Sequence, residues 1–216
     1  NSEGSETNNL TVTASETELN GIIGGSQGIG IIDINGTLDL NAAITGATSI
    51  DVSSTSNLGA NVTTSGTQTY TGATVLSTDV TLTTTNSNVT FSSTVDGDGT
   101  ARDLIIDTNG TTGTIQFAGL VGNSNDLDAM TITGNLDLDA AIANTTSISV
   151  SGTSNLGANV TTSGTQTYTG AVTLSGGDRT LTGSTVNFGA AVTGTTSHDL
   201  IITGNLDLDG ALTSVV

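Results

Sequence analysis

Apolar and polar residues alternate in short bursts along most of the chain. The bursts are Leu38/Leu40, Ile50/Val52, Val80/Leu82, Val89/Phe91, Leu104/Ile106, Ile115/Phe117, Met130/Ile132, Leu136/Leu138, Ile148/Val150, Val172/Leu174, Val186/Phe188 and Leu206/Leu208. An apolar-x-apolar unit places two side chains on one side of an extended strand and turns the residue between them outward. Clusters such as "TGATS", "TNGTTG" and "SGGD" separate the bursts and supply turn geometry, including positive φ. Thr is abundant beside Val and Ile, and β-branched side chains favour strands over helices. The pattern predicts an all-β chain with essentially no helix.

Short strands with one apolar face fit a sandwich, a barrel or a solenoid, and internal repetition chooses among them. The stretch "TSNLGANVTTSGTQTYTGA" at 55–73 returns unchanged at 153–171, 98 residues later. The surrounding block from Ile34 matches the block from Ile132, and "ITGNLDLDGAL" begins again at Ile202. The spacing drifts slightly, since "TARDLIID" at 100–107 aligns with "TSHDLIIT" at 196–203. In a sandwich such near-identical blocks would meet unlike neighbours, whereas each coil of a solenoid meets much the same neighbours. The expectation is a β-solenoid over 30–216 of about nine coils, with ~24 residues per coil and a length of roughly 40 Å at ~4.8 Å per coil.

Composition narrows the function. Hydrophobic residues make up 34% of the 216 residues, aromatics 2% and charged residues 10%, with no Cys, Pro or Trp. Without Pro, nearly every backbone N–H can join a ladder. The net charge of −18, with Arg102 and Arg179 as the fixed side-chain cations, weighs against nucleic acid as a partner. No apolar run approaches the ~20 residues of a membrane-spanning helix. The start without Met and the end early in a third repeat read as a processed chain or a segment of something longer.

The blocks "TSGTQTYTGAVTLSGGDRTLTGSTVNFGAAVTG" and "DLIITGNLDLDGAL" resemble the strand repeats of large bacterial surface proteins, the filamentous haemagglutinin-like and autotransporter-passenger group. The resemblance covers about residues 30–216. It implies a right-handed parallel β-helix, secreted or displayed at a bacterial cell surface, that serves as a stalk, adhesin or fibre. It brings no catalytic residue.

Residues 1–29 differ from the rest, since all four Glu (Glu3, Glu6, Glu16, Glu18) lie there. This segment is expected either to cap the first coil or, through "NNLTVTAS" at 8–15, to add as a strand to a neighbouring subunit and so join rods. Two acidic turns are candidate calcium sites: Asp96, Asp98 and Asp103 in "DGDGTARD", and Asn123, Asn125, Asp126 and Asp128 in "NSNDLDAM". Neither matches an EF-hand loop, and turn chemistry alone accounts for these residue types. No cofactor is required by this reading, calcium being the one candidate. Ser197, His198 and Asp199 carry triad letters, but consecutive strand residues face opposite sides and cannot converge.

T-x-T pairs at 11–13, 69–71, 81–83, 131–133 and 167–169 raise ice binding, yet they fall at irregular intervals along the sequence. The expectation is therefore a non-enzymatic structural protein, a subunit or segment of an extracellular fibre, sheath or adhesin stalk that self-associates. Surface binding of glycans or ice is the alternative. A polysaccharide-degrading β-helix enzyme is more remote, because such an enzyme needs a cluster of carboxylates with a tuned base, often with Lys or Arg, and the chain has no Lys.

Overall fold

The computed structural model describes residues 7–215, which form a β-solenoid of about 10 turns with every strand pairing parallel and no helix among the described residues. Each coil presents three strand segments, so three columns of inward side chains run the length of the stack. The first face carries Leu10, Ile32, Ile50, Gln68, Val89, Ile115, Leu136, Ser154, Val172, Val192 and Leu212 in register. The second carries Thr17, Leu38, Ser56, Thr74, Val95, Val121, Ile142, Val160, Leu181 and Ile202. The third carries Ile23, Ile44, Val62, Leu82, Ile106, Ile132, Val150, Tyr168, Phe188 and Leu208.

Parallel, in-register stacking sets like on like, which is why one aliphatic column can continue through unlike coils. Both residues of each interior apolar burst are buried, from Leu38/Leu40 to Val186/Phe188. Rings stack too: Tyr70, Phe91 and Phe117 on the first face have successive centroids 5.2 Å apart, and Tyr168 and Phe188 on the third lie 5.6 Å apart. These separations follow the ~4.8 Å rung spacing of a β-ladder.

Most coils are shorter than expected, the lengths ranging from 18 residues (Ile32 to Ile50) to 26 (Val89 to Ile115). The reason is physical. Strands Ser56–Leu58, Thr74–Leu76, Ser154–Leu156 and Gln68–Tyr70 turn a hydroxyl or an amide inward, so counting apolar pairs overlooks them. The sequence repeat is also out of phase with the coil. Starting at Leu38 on the second face, four full coils lead to Val121, and the chain then crosses the third face at Ile132 to reach Leu136, the counterpart of Leu38, on the first. Four and two-thirds coils thus separate the copies, not four, and identical letters occupy faces a third of a turn apart. The repeat from Ile132 to Ile202 spans three and two-thirds coils in the same way, ending on the second face.

A corner glycine marks each of these rotated copies. Gly36, Gly134 and Gly204 have φ of 155°, 148° and 135°, which L side chains rarely adopt. A Cβ on Gly36 would collide with the carbonyl of Ala14, and one on Gly204 with the carbonyl of Gly183, each in the preceding coil.

Candidate functional site

The surface of this fold is built from the outward residues of each rung, the corners and the two ends. On the third face, Thr81, Ile105, Thr131, Ser149 and Thr167 stand in one register row. Thr133, Ser151 and Thr169 are the second outward residues of the last three of these rungs, so three consecutive rungs each present two hydroxyls. T-x-T pairs that are irregular along the sequence are therefore partly aligned in space, because coil lengths differ.

The Asp rows behave otherwise. Asp39, Asp137 and Asp207 lie on the second, first and third faces, respectively. Asn57 Nδ2 donates to Asp39 Oδ1 at 2.8 Å, and Asn155 Nδ2 to Asp137 Oδ1 at 2.8 Å. Carboxylates do sit on adjacent rungs at Asp33 under Asp51 and Glu18 beside Asp39, pairings invisible in sequence because they cross coils.

The bridge between Val95 and Val121 brings the two acidic turns onto neighbouring coils at one corner. Asp96 is buried, and its Oδ1 accepts the Ser124 N–H at 2.9 Å and the Asn125 N–H at 3.4 Å. Asp98 accepts from Arg102 Nε (3.1 Å) and Nη2 (2.9 Å) and from the Thr100 N–H (3.1 Å). The Arg102 hydrogen bond holds the Asp98 carboxyl below its usual range. Asp103 Oδ1 accepts the Ala129 N–H at 2.9 Å. Asn123, Asn125, Asp126 and Asp128 are exposed, and Asp126 borders a groove of about 230 Å³ with Asn144, Thr146, Thr161 and Ser163. Among the described residues, no three His, Cys, Asp or Glu side chains lie close enough to hold a metal ion.

Two of these carboxylates, Asp96 and Asp103, staple neighbouring coils, and other corner residues do the same. Asp79 Oδ1 accepts the Asp103 N–H at 3.1 Å, and Asp103 accepts from Ala129 in the coil above. In the second copy Asp178 Oδ1 accepts the Asp199 N–H at 3.0 Å. Asn61 and Asn159 accept the N–H groups of Thr81 (2.8 Å) and Thr180 (2.9 Å). Sequence reasoning treats Asp and Asn as local turn formers, whereas at these corners their side chains reach into the next coil. Of the triad letters, His198 Nε2 lies 3.0 Å from Thr196 Oγ1 and 3.3 Å from Thr195 Oγ1.

The ends differ from the middle. In the C-terminal coil the inward-column residues Leu206 and Leu212 are 49% and 45% exposed, while Leu136, the internal counterpart of Leu206, is 2% exposed. At the other end the strand Leu10–Leu19 forms the first rung, paired with Ile32–Leu40 of its own chain. Glu3 and Glu6 of the expected cap or donor segment 1–29 lie outside the described residues. No protein-family model, curated protein or solved structure matches the chain.

Proposed function

We propose that the protein is a structural rod, a subunit or segment of an extracellular fibre, sheath or stalk at a bacterial cell surface, and not an enzyme. The observation that carries this reading is the continuity of the three columns through about 10 turns. A fold that spends its sequence on repeating one rung produces length and surface, and each added coil brings its own burial. The aromatic side chains Tyr70, Tyr168, Phe91, Phe117 and Phe188 are all committed to the interior, which leaves no aromatic platform outside for a sugar ring. The net charge of −18 keeps neighbouring rods apart side by side.

Negative-stain microscopy with small-angle scattering tests the reading. Isolated molecules should be rods ~50 Å long, from about ten rungs at ~4.8 Å. Compact, near-spherical particles would end it. The paired hydroxyls at Thr131/Thr133, Ser149/Ser151 and Thr167/Thr169 favour ice as a second reading. Thermal hysteresis that is lost when Ser149 and Thr167 are replaced by Lys would establish that reading in place of a purely structural role.

A further inference from the structure

We propose that Asn109 is a site of self-modification, at which the Gly110 backbone nitrogen attacks the Asn109 side-chain amide and converts it to aspartate and isoaspartate. The reaction needs no partner but water, so it is independent of what the rod serves.

The chain holds three Asn-Gly pairs, at 20–21, 35–36 and 109–110. Asparagine is a thermolabile residue, and a following glycine leaves the attacking nitrogen unshielded because no Cβ stands beside it. What separates the three pairs is how each is held. Asn35 lies inside the strand Ile29–Leu40, which pairs with neighbouring coils on both edges, and its Nδ2 donates to Asp33 Oδ1 at 3.1 Å. Asn20 Oδ1 accepts from Asn41 Nδ2 of the next coil at 3.1 Å. Asn109 is exposed in a corner outside any strand. Its backbone N–H donates to Asp107 Oδ1 at 2.7 Å, but among the described residues no hydrogen bond holds its carboxamide or the Gly110 N–H. Nucleophile and electrophile are thus adjacent and untied.

The corner itself demands this pair. The chain takes a longer path from Ile106 on the third face to Ile115 on the first than it takes from Ile44 to Ile50. Along that path Asn109 has φ of 46°, in the left-handed region that Asn tolerates and most side chains do not. A Cβ on Gly110 would collide with Asn86 Oδ1 of the preceding coil, the atom that accepts the Thr111 N–H at 3.1 Å. Each residue is required by its own contact or dihedral angle, and together they write the reactive dipeptide.

The step balances within the chain and water. The Gly110 nitrogen gives its proton to solvent and bonds to Asn109 Cγ, the Cγ–Nδ2 bond breaks, and the amide nitrogen leaves as ammonia. Water then opens the cyclic imide at either carbonyl, giving aspartate or, where the chain now runs through the side chain, isoaspartate. Nothing is oxidised or reduced. Each event adds a negative charge close to Asp107, in a chain that already carries −18. Isoaspartate also inserts a methylene into the backbone before Gly110, which draws Gly110 off Asn86 and loosens the Thr111 staple. A rod whose paired strands resist proteolysis persists long enough for so slow a reaction to accumulate.

Trypsin separates the pairs, because Arg102 and Arg179 are the only Lys or Arg residues of the chain. Cleavage of the unfolded chain gives 1–102, with Asn20 and Asn35, and 103–179, with Asn109. Rods kept folded in warm, mildly alkaline buffer, then unfolded, digested and weighed, should show the mass gain of amide-to-acid exchange in 103–179 and none in 1–102. A sample kept unfolded in guanidinium chloride throughout should show the gain in both fragments, because the fold no longer holds Asn20 and Asn35. Asn109→Gly, which suits the positive φ, should keep the β circular dichroism and remove the gain from 103–179 of the folded rod. Labelling by an isoaspartyl methyltransferase should find isoaspartate in that fragment, and aspartate alone would overturn the cyclic route. A gain in 1–102 that keeps pace with 103–179 in the folded rod overturns the proposal. So does a folded rod whose 103–179 fragment stays unchanged, or a gain in that fragment that survives Asn109→Gly.

Discussion

Gln68 and Gln166 lie 98 residues apart, make the same set of hydrogen bonds and stand on different faces of the coil. Gln68 Nε2 donates to the carbonyl of Val62 (3.2 Å), Thr64 Oγ1 (3.3 Å) and the carbonyl of Thr83 (2.9 Å), and its Oε1 accepts from the Tyr70 hydroxyl (3.1 Å). Gln166 repeats this with Val160 (3.2 Å), Thr162 (3.4 Å), Thr182 (2.8 Å) and Tyr168 (3.1 Å). The network spans one corner and the rung above it, so it can be copied onto any face. Gln68→Leu should cost about 2–4 kcal/mol, because a fully buried tyrosine hydroxyl and two carbonyls lose partners. Gln166→Leu should cost the same within about 0.5 kcal/mol, and adding Tyr70→Phe should recover part of the Gln68→Leu loss. Urea unfolding of the single and double variants checks both expectations.

The same pair shows how far the sequence could be read. The strand alternation and the repeat were legible, and with them the solenoid. The phase was not. Repetition reports that two segments have like neighbours, and in a three-sided coil each of three faces can supply them. Ser56, Thr74 and Gln68 concealed their rungs because an inward polar residue breaks the apolar-x-apolar signature. The inter-coil contacts of Asp96 and Asp103 were illegible for a related reason: their partners Ser124 and Ala129 are set by coil length, which no single turn encodes.

Those contacts make the acidic turns testable. Asp103→Ala removes the acceptor for the Ala129 N–H and should destabilise by about 1–2 kcal/mol, while Asp103→Asn, which keeps an oxygen there, should cost less than half of that. Calcium titration monitored by melting temperature belongs beside it. A rise in the intact protein that Asp103→Ala abolishes would show that an ion competes with the backbone donor for this carboxylate.

Arg179 is buried with its guanidinium aimed at carbonyl oxygens, those of Leu156 (2.8 Å), Asp178 (2.6 Å) and Ser175. Burial pushes its pKa down from the ordinary arginine value. Arg179→Ala strands three acceptors and should cost about 2–4 kcal/mol. Trypsin should leave the native rod uncut at Arg179 and also at Arg102, whose strand Arg102–Asp107 is paired on both edges. Native cleavage after Arg102 would show that this strand opens locally.

Thr74 and its counterpart Val172 offer a stabilising exchange. Thr74 is 1% exposed on the second face, and its Oγ1 has no hydrogen-bond partner among the described residues. Val172 occupies the matching place on the first face with the same shape and no hydroxyl. Thr74→Val should therefore raise stability by about 1 kcal/mol, seen as a higher urea midpoint at unchanged slope. A loss of stability would mean that the hydroxyl has a partner in solution.

Tyr70 and Tyr168 set the alkaline limit. Both are fully buried, and burial raises their pKa well above the ordinary value of 10.0. Because the folded value exceeds the unfolded one, the stability tied to the neutral phenols is complete below pH 10 and is lost progressively as pH rises beyond it. The melting temperature should hold steady to about pH 9.5 and then fall, with tyrosinate absorbance appearing only as the chain unfolds. The chain has two Tyr and no Trp, so the optical signal belongs to these two residues. Tyr70→Phe/Tyr168→Phe should flatten the alkaline decline. If tyrosinate forms in the folded protein instead, water reaches the phenols and the columns are open to solvent at those rungs.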